Sequence, residues 1–232
     1  MPVRCSDKSE VFGYIIKHKK HYWMQRIIEG LDISIKRYSS LAGYPPYNIG
    51  ERVTNSCMIT AIGRANGIAL LEVPTTKTQL KESRKGRYDI YAGMPVKRVG
   101  FRHVSIETKQ VYMSHKSRVS SFARALQKSW EDACRVRDIQ RNDESGDTFG
   151  CTYYCLKLAA QRHPTRADIN RSIMSMISTV RELPEADIVS WHFPRRYRLY
   201  KSPDNSGSRT KFYWPGIIVA MRKAPYRSPD RT

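Results

Sequence analysis

The stretch 104-VSIETKQVY-112 decides how the rest of the chain is read. Its alternation predicts a strand, with Val104 and Ile106 on one face and Ser105, Glu107 and Lys109 on the other. A carboxylate and an ammonium two residues apart on one strand face point the same way. The segments around them have to explain the pair.

Working outward, 87-RYDIYAG-93 predicts the preceding strand and 68-IALLEVP-74 the one before it, with the polar, basic 75-TTKTQLKESRKG-86 as a loop between them. A helix is expected from Gly50 to Ala65, ended by Asn66-Gly67. After the central strand, apolar side chains at 119, 122, 126, 130, 133 and 136 mark an amphipathic helix to Asp138, capped by Ser120 or Ser121. The segment 148-TFGCTYYCLKLAA-160 reads as a strand. Ile169, Ile173, Ile177 and Val180 mark a helix capped at Thr165 or Asp168. The segments 186-ADIVSWHF-193 and 214-WPGIIVAMRK-223 are the last strands. At the other end, Val11, Tyr14, Ile15, Trp23, Ile27, Ile28, Leu31, Ile35 and Tyr38 fall at roughly helical spacing. They predict one or two helices before the break at 43-GYPPYNIG-50. The expectation is an α/β fold, a mixed central sheet with helices on both faces. Residues 1–44 would be a helical extension and residues 45–232 the main domain.

Composition bounds the function. The chain has 232 residues, 40% hydrophobic and 27% charged, which fits a globular protein. It holds no apolar run of the ~18 residues that span a bilayer, and its polar start, MPVRCSDKSE, lacks a signal-peptide core. The expected location is the cytoplasm, with no membrane partner. Five cysteines (Cys5, Cys57, Cys134, Cys151 and Cys155) read as free, mostly buried thiols. The four-residue spacing of Cys151 and Cys155 lacks the second pair a zinc site needs. A net charge of +20 favours a polyanionic partner. Lys77, Lys81, Arg84, Lys85 and Arg87, which lead into Asp89, and Arg195, Arg196 and Arg198 in FPRRYRLYK are the expected nucleic-acid contacts. A solvated face is the alternative for each run.

Asp89 stands in mid-strand, where an acid is disfavoured. If its strand pairs with the next through a turn between Gly93 and Gly100, Asp89 comes near Glu107. Adjacent carboxylates repel unless a cation lies between them. A hard divalent ion such as Mg2+ takes oxygen ligands. Lys109 would then stand beside a metal-bound water, as phosphodiester hydrolysis requires. The alternative is an exposed Glu107–Lys109 pair on a half-buried sheet, with Asp89 as a bulge residue.

RYD followed eighteen residues later by ETK, in a helix–strand–strand–strand–helix–strand order, resembles the PD-(D/E)XK nuclease superfamily over about residues 48–160. The superfamily's proline is replaced by Tyr88. The resemblance implies a restriction-endonuclease-like αβββαβ core and a metal-dependent DNA endonuclease. It makes Asp89 and Glu107 metal-binding acids, Lys109 the catalytic lysine and Gln110 a polar support, with Mg2+ as cofactor and Mn2+ able to substitute. Glu51, from the preceding helix, would complete the metal site. Asn48 and Glu51 also have capping-box spacing, and the two roles are compatible. Restriction, anti-phage defence and DNA transposition are the settings implied, with DNA as partner. A homodimer or an activating partner protein is compatible with the resemblance. The competing functions are a non-catalytic basic nucleic-acid-binding module and a ribonuclease of the same fold.

Overall fold

In the computed structural model, residues 11–79, 82–96, 100–114, 116–137, 146–160, 164–194 and 211–225 are described. The central stretch lies in a strand, β4 (Gly100–Met113), buried across Val104–Thr108. Ahead of it come β2 (Ile68–Gln79) and β3 (Glu82–Val96), and after it α4 (Val119–Arg137) and β5 (Asp147–Ala160). The helix α3 (Glu51–Arg64) precedes β2, so residues 51–160 run helix, strand, strand, strand, helix, strand. Around this lie β1 (Val11–Ile16), a 3-10 segment (Lys19–Met24), α1 (Gln25–Ala42) and α2 (Pro46–Ile49). α5 (Arg166–Arg181), β6 (Ile188–Phe193) and β7 (Lys211–Lys223) are the remaining elements of the described residues.

The strands form one seven-stranded mixed sheet in the order β1-β6-β7-β5-β4-β3-β2. β4 and β5 are parallel, joined through α4, and the other pairs are antiparallel. A parallel pair needs a long crossover, and the amphipathic α4 supplies it. Helices cover both faces. On one, Ile27, Leu31 and Ile35 of α1 and Met58, Ala61 and Ile62 of α3 pack on Ile90, Val104, Ile106 and Tyr153. On the other, Phe122 and Leu126 of α4 and Ile173 and Ile177 of α5 pack on Tyr154, Leu156, Trp191 and Ile218. The α/β fold with a mixed sheet flanked by helices is therefore as expected. Among the described residues no helix is long and apolar enough to cross a membrane.

Several elements depart from the sequence reading. Residues 11–16 are not helical: β1 pairs with β6, from Val11↔Phe193 to Ile16↔Ile188, as the sheet's outer strand. Tyr14 and Ile16 bury with α1 in the main core, so this part of residues 1–44 belongs to the sheet and is not a helical extension. Positions 11, 14 and 15 have helical spacing, but Val11-Phe12-Gly13-Tyr14-Ile15-Ile16 is apolar on both strand faces, and in so short an apolar run the period does not decide. Residues 75–79 and 82–86 are not loop. They extend β2 and β3 into a two-stranded ribbon, Thr75↔Gly86 to Gln79↔Glu82. Its threonines favour a strand, and its charges hid the alternation. Ser120 and Ser121 lie inside the first turn of α4 instead of ahead of it. α5 begins with a capping box between Thr165 and Asp168. Cys57, Cys151 and Cys155 are buried free thiols, and Cys134 forms no disulfide among the described residues.

Candidate active site

The site forms where two neighbouring strands part. β3 pairs with β4 only from Val96↔Gly100 to Ile90↔Ile106, while β4 continues alongside β5 to Met113. The N–H groups of β4 beyond Ile106 that faced β3 have lost their ladder partners, and buried N–H groups must be satisfied. Two carboxylates take them. Asp89 Oδ2 accepts from Thr108 N at 2.7 Å and from Thr108 Oγ1 at 3.1 Å. Glu51 Oε2 accepts from Gln110 N at 2.7 Å. Lys109 sits between these two anchored residues.

An irregularity in β2 lies at the same level of the sheet. Glu72, opposite Asp89 in the register, has φ +52, and the regular pairing skips it. A non-glycine residue in the left-handed region costs on the order of 1–3 kcal/mol and persists where its surroundings hold it. Arg52 Nε at 3.0 Å and Arg87 Nη1 at 2.8 Å hold the Glu72 carboxylate. Arg87 is thus paired across the ribbon to Glu72.

Alternation puts Asp89, Glu107 and Lys109 on the α4 side of the sheet, because Ile90, Val104 and Ile106 pack in the opposite core. Glu107 is 1% exposed. Lys109 reaches α4, with Nζ 3.1 Å from Asp132 Oδ2. Glu51 comes from the other face, at the start of α3, and meets β4 at the edge β3 has vacated. The capping-box reading of Glu51 does not hold. Asn48 lies in α2, Gly50 is the N-cap and makes no side-chain cap bond, and the Glu51 carboxylate goes to Gln110 instead.

Charge couples these groups. Burial raises the Glu51 carboxyl above its usual range; the Gln110 N–H opposes this, the Asp89 charge adds to it, and Lys109 offsets part. Burial pulls Lys109 down, but the hydrogen bond and charge of Asp132, reinforced by Asp89 and Glu51, leave it above the ordinary lysine value. Lys109 is therefore an ammonium with three carboxylates acting on it.

A layer of polar side chains fixes the acids. Asn55 of α3 donates to Thr108 Oγ1 at 3.0 Å, and that hydroxyl donates to Asp89. Thr54 Oγ1 lies 2.8 Å from Gln110 Oε1, and Gln110 Nε2 donates to the Tyr47 carbonyl at 3.0 Å. Gln110 thus binds Glu51 through its N–H and is itself held by Thr54 and the Tyr47 carbonyl. Asp132, Asn55, Thr54 and Thr108 were not singled out from the sequence. Their partners in the site lie 19 to 56 residues away, and only Thr108, between Glu107 and Lys109, carried a positional hint.

Two histidines have settled places in the fold. His21 is 1% exposed, edge-on to Phe149, and burial depresses its pKa. His103 pairs with the Tyr91 hydroxyl at 2.9 Å. The side chains of Lys77, Arg84 and Lys85, and the whole of Lys81, Arg195, Arg196 and Arg198, lie outside the described residues.

The donor chemistry suits a hard divalent ion: carboxylates from β3, β4 and α3, with Asp89 engaging the described residues through Oδ2 alone. Among the described residues, however, no three His, Cys, Asp or Glu side chains are already gathered to hold an ion. Asp89 and Glu51 face the β4 backbone. A cation would draw them from hydrogen bonds that are individually worth ~1 kcal/mol, or ~1.5–3 kcal/mol where the acceptor is charged. No family model, no curated protein and no solved structure matches the chain.

Proposed function

We propose that this protein is a metal-dependent nuclease that hydrolyses phosphodiester bonds in DNA. The supporting observation is the meeting of Asp89, Glu51 and Lys109 at the open edge of β4, with Glu107 buried on the same strand. In this reading Asp89, Glu107 and Glu51 hold Mg2+, for which Mn2+ substitutes. The ion, when bound, polarises a phosphoryl oxygen and acidifies a water. Lys109 orients that water or donates to the charge that develops on the phosphoryl oxygens. Asp132 is a positioning residue that fixes the ammonium. Thr108 and Gln110 hold the acids through their backbone N–H groups, and Asn55 and Thr54 brace those two side chains. The net charge of +20 draws the polyanion in.

One observation favours a second reading, a nucleic-acid-binding module without catalysis: Lys109 is already paired with Asp132, and Asp89 and Glu51 with the backbone. The test is incubation with supercoiled plasmid, linear duplex or RNA, in Mg2+ or Mn2+ and in EDTA. Metal-dependent cutting of DNA supports the nuclease, and cutting of RNA alone makes it a ribonuclease. Salt-sensitive binding without cutting in either metal favours the binding module.

A further inference from the structure

Beyond Gln110, β4 runs into an aromatic cluster that the proposed hydrolysis does not use. Lys157 Nζ of β5 stands 3.9 Å from the Phe212 ring centroid, 5.5 Å from that of Trp214 and 5.9 Å from that of Tyr112. Tyr112 meets Trp214 edge-on, with centroids 5.1 Å apart. The cluster has a backbone cause. Leu156 pairs with Gly216 but Leu158 with Tyr213, so Trp214 and Pro215 together oppose Lys157 in a β-bulge. A proline lacks the ladder N–H and is tolerated inside a sheet at such a bulge, which re-aims the side chains beside it.

The layers of the cluster differ. Trp214 is buried and forms the floor, whereas Tyr112 is 49% exposed. Lys157 has no carboxylate partner among the described residues. A lone cation over a ring is common in proteins. A cation ringed by three aromatics, one of them half open, and with no acid paired to it among the described residues, is a ready place for a flat ring carrying a negative charge. The cluster also joins the candidate active site: Gln110 holds Glu51 with its N–H and donates from Nε2 to the Tyr112 hydroxyl at 3.2 Å. From Lys109 to Tyr112 the strand advances about 10 Å, and Tyr112 shares the sheet face of Gln110, across the open β4 edge from that of Lys109.

We propose that this cluster receives an unstacked base of a single-stranded nucleic acid, laid on Tyr112, with an adjoining phosphate on Lys157. The proposal rests on the nuclease reading and narrows its substrate to DNA that is single-stranded, frayed or branched near the cut. In a duplex both faces of each base are covered by neighbours, so Tyr112 gains its contact only where stacking is broken.

The test is fluorescence anisotropy of the full chain with a labelled oligothymidylate and a labelled duplex of equal length, in EDTA so that nothing is cut. Tyr112→Leu is expected to weaken single-strand binding roughly 5- to 160-fold and to leave duplex binding unchanged. Tyr112→Phe, which keeps the ring and loses the Gln110 contact, should bind as the parent does. Lys157→Gln should lower the slope of log affinity against log salt by about 0.7 on the single strand, one phosphate contact. That slope carries the test if the leucine variant does not fold. Parental single-strand affinity in folded Tyr112→Leu, or an unchanged slope in Lys157→Gln, overturns the proposal; metal-dependent cutting by the parent would leave the nuclease reading standing. Failure of the parent to bind either nucleic acid removes the reading and the proposal together.

Discussion

Gly150→Ala tests how α4 is seated over the site. Gly150 lies on β5 opposite Glu107 and beneath α4. A methyl there would meet Trp130 N at 2.4 Å and the Ser129 carbonyl carbon at 2.5 Å, where ordinary contact begins at 3.4 Å. The obstacles are helix backbone, so α4 has to retreat by about 1 Å. The retreat strains the bonds that dock the helix, Ser129 Oγ to Thr152 Oγ1 at 2.9 Å and Tyr154 Oη to the Phe122 carbonyl at 2.7 Å. Overpacking of this kind costs ~1–3 kcal/mol, a fall in Tm of roughly 2–12 °C in a chain of this size. It also carries Asp132 away from Lys109, so any cleavage activity should fall at temperatures where the variant is fully folded. The control is Gly63→Ala in α3, where an added methyl meets nothing within 4 Å. The same chemical change there should raise stability by ~0.5–1 kcal/mol, because alanine is the better helix residue. Thermal unfolding followed by circular dichroism reads both variants. A Gly150→Ala protein that melts at or above the parent would refute the close seating of α4.

Other expectations concern the polar interior. Thr108→Val deletes the hydroxyl between Asn55 and Asp89, and urea unfolding should show a loss of ~1–3 kcal/mol. Asp32 forms a buried relay with His192 and Ser190, at 3.2 Å and 3.0 Å, and pairs with Lys36 at 2.7 Å. Burial pushes its carboxyl up, but the His192 and Lys36 contacts outweigh that and hold it below the usual value. Its stabilising contribution is therefore present above the unfolded pKa of ~3.9 and lost as pH falls through the lower folded value. Asp32→Asn should lower stability at neutral pH and flatten the acid limb of a stability–pH curve; an unchanged acid limb would refute the assignment. Burial pushes the Cys57 thiol up to about 12 and raises Cys151 and Cys155 as well. None of the three should react with a thiol reagent at pH 8 until the protein unfolds, as mass spectrometry of labelled peptides would show.

What the sequence disclosed and what it hid separate along physical lines. Glu107 and Lys109 share a face because the strand period fixes it, and α4 and α5 were visible from their apolar stripes. The β3–β4 hairpin was legible from the turn residues and brings Asp89 to the β4 edge. What Asp89 does there was hidden, because its partner depends on where β3 leaves β4. At the same level Glu72 of β2 takes a positive φ, which no local pattern announced. The Glu51 carboxylate matched a capping box in sequence but reaches Gln110, 59 residues on, because tertiary contact offered a better donor. Asp132 adjoins Glu131 on a charged helix face, and only the docking of α4 distinguishes them. β1 was hidden because Val11, Tyr14 and Ile15 have helical spacing in a run apolar on both strand faces, and only the pairing with β6 decides.

The most direct measurement of the central claim is plasmid cleavage by the parent and by Lys109→Ala, side by side in Mg2+, Mn2+ and EDTA. The account predicts metal-dependent cutting by the parent, silenced by EDTA and lost in Lys109→Ala while DNA binding persists. Metal-dependent cutting that survives in purified Lys109→Ala would place the chemistry elsewhere and contradict the assignment of this site.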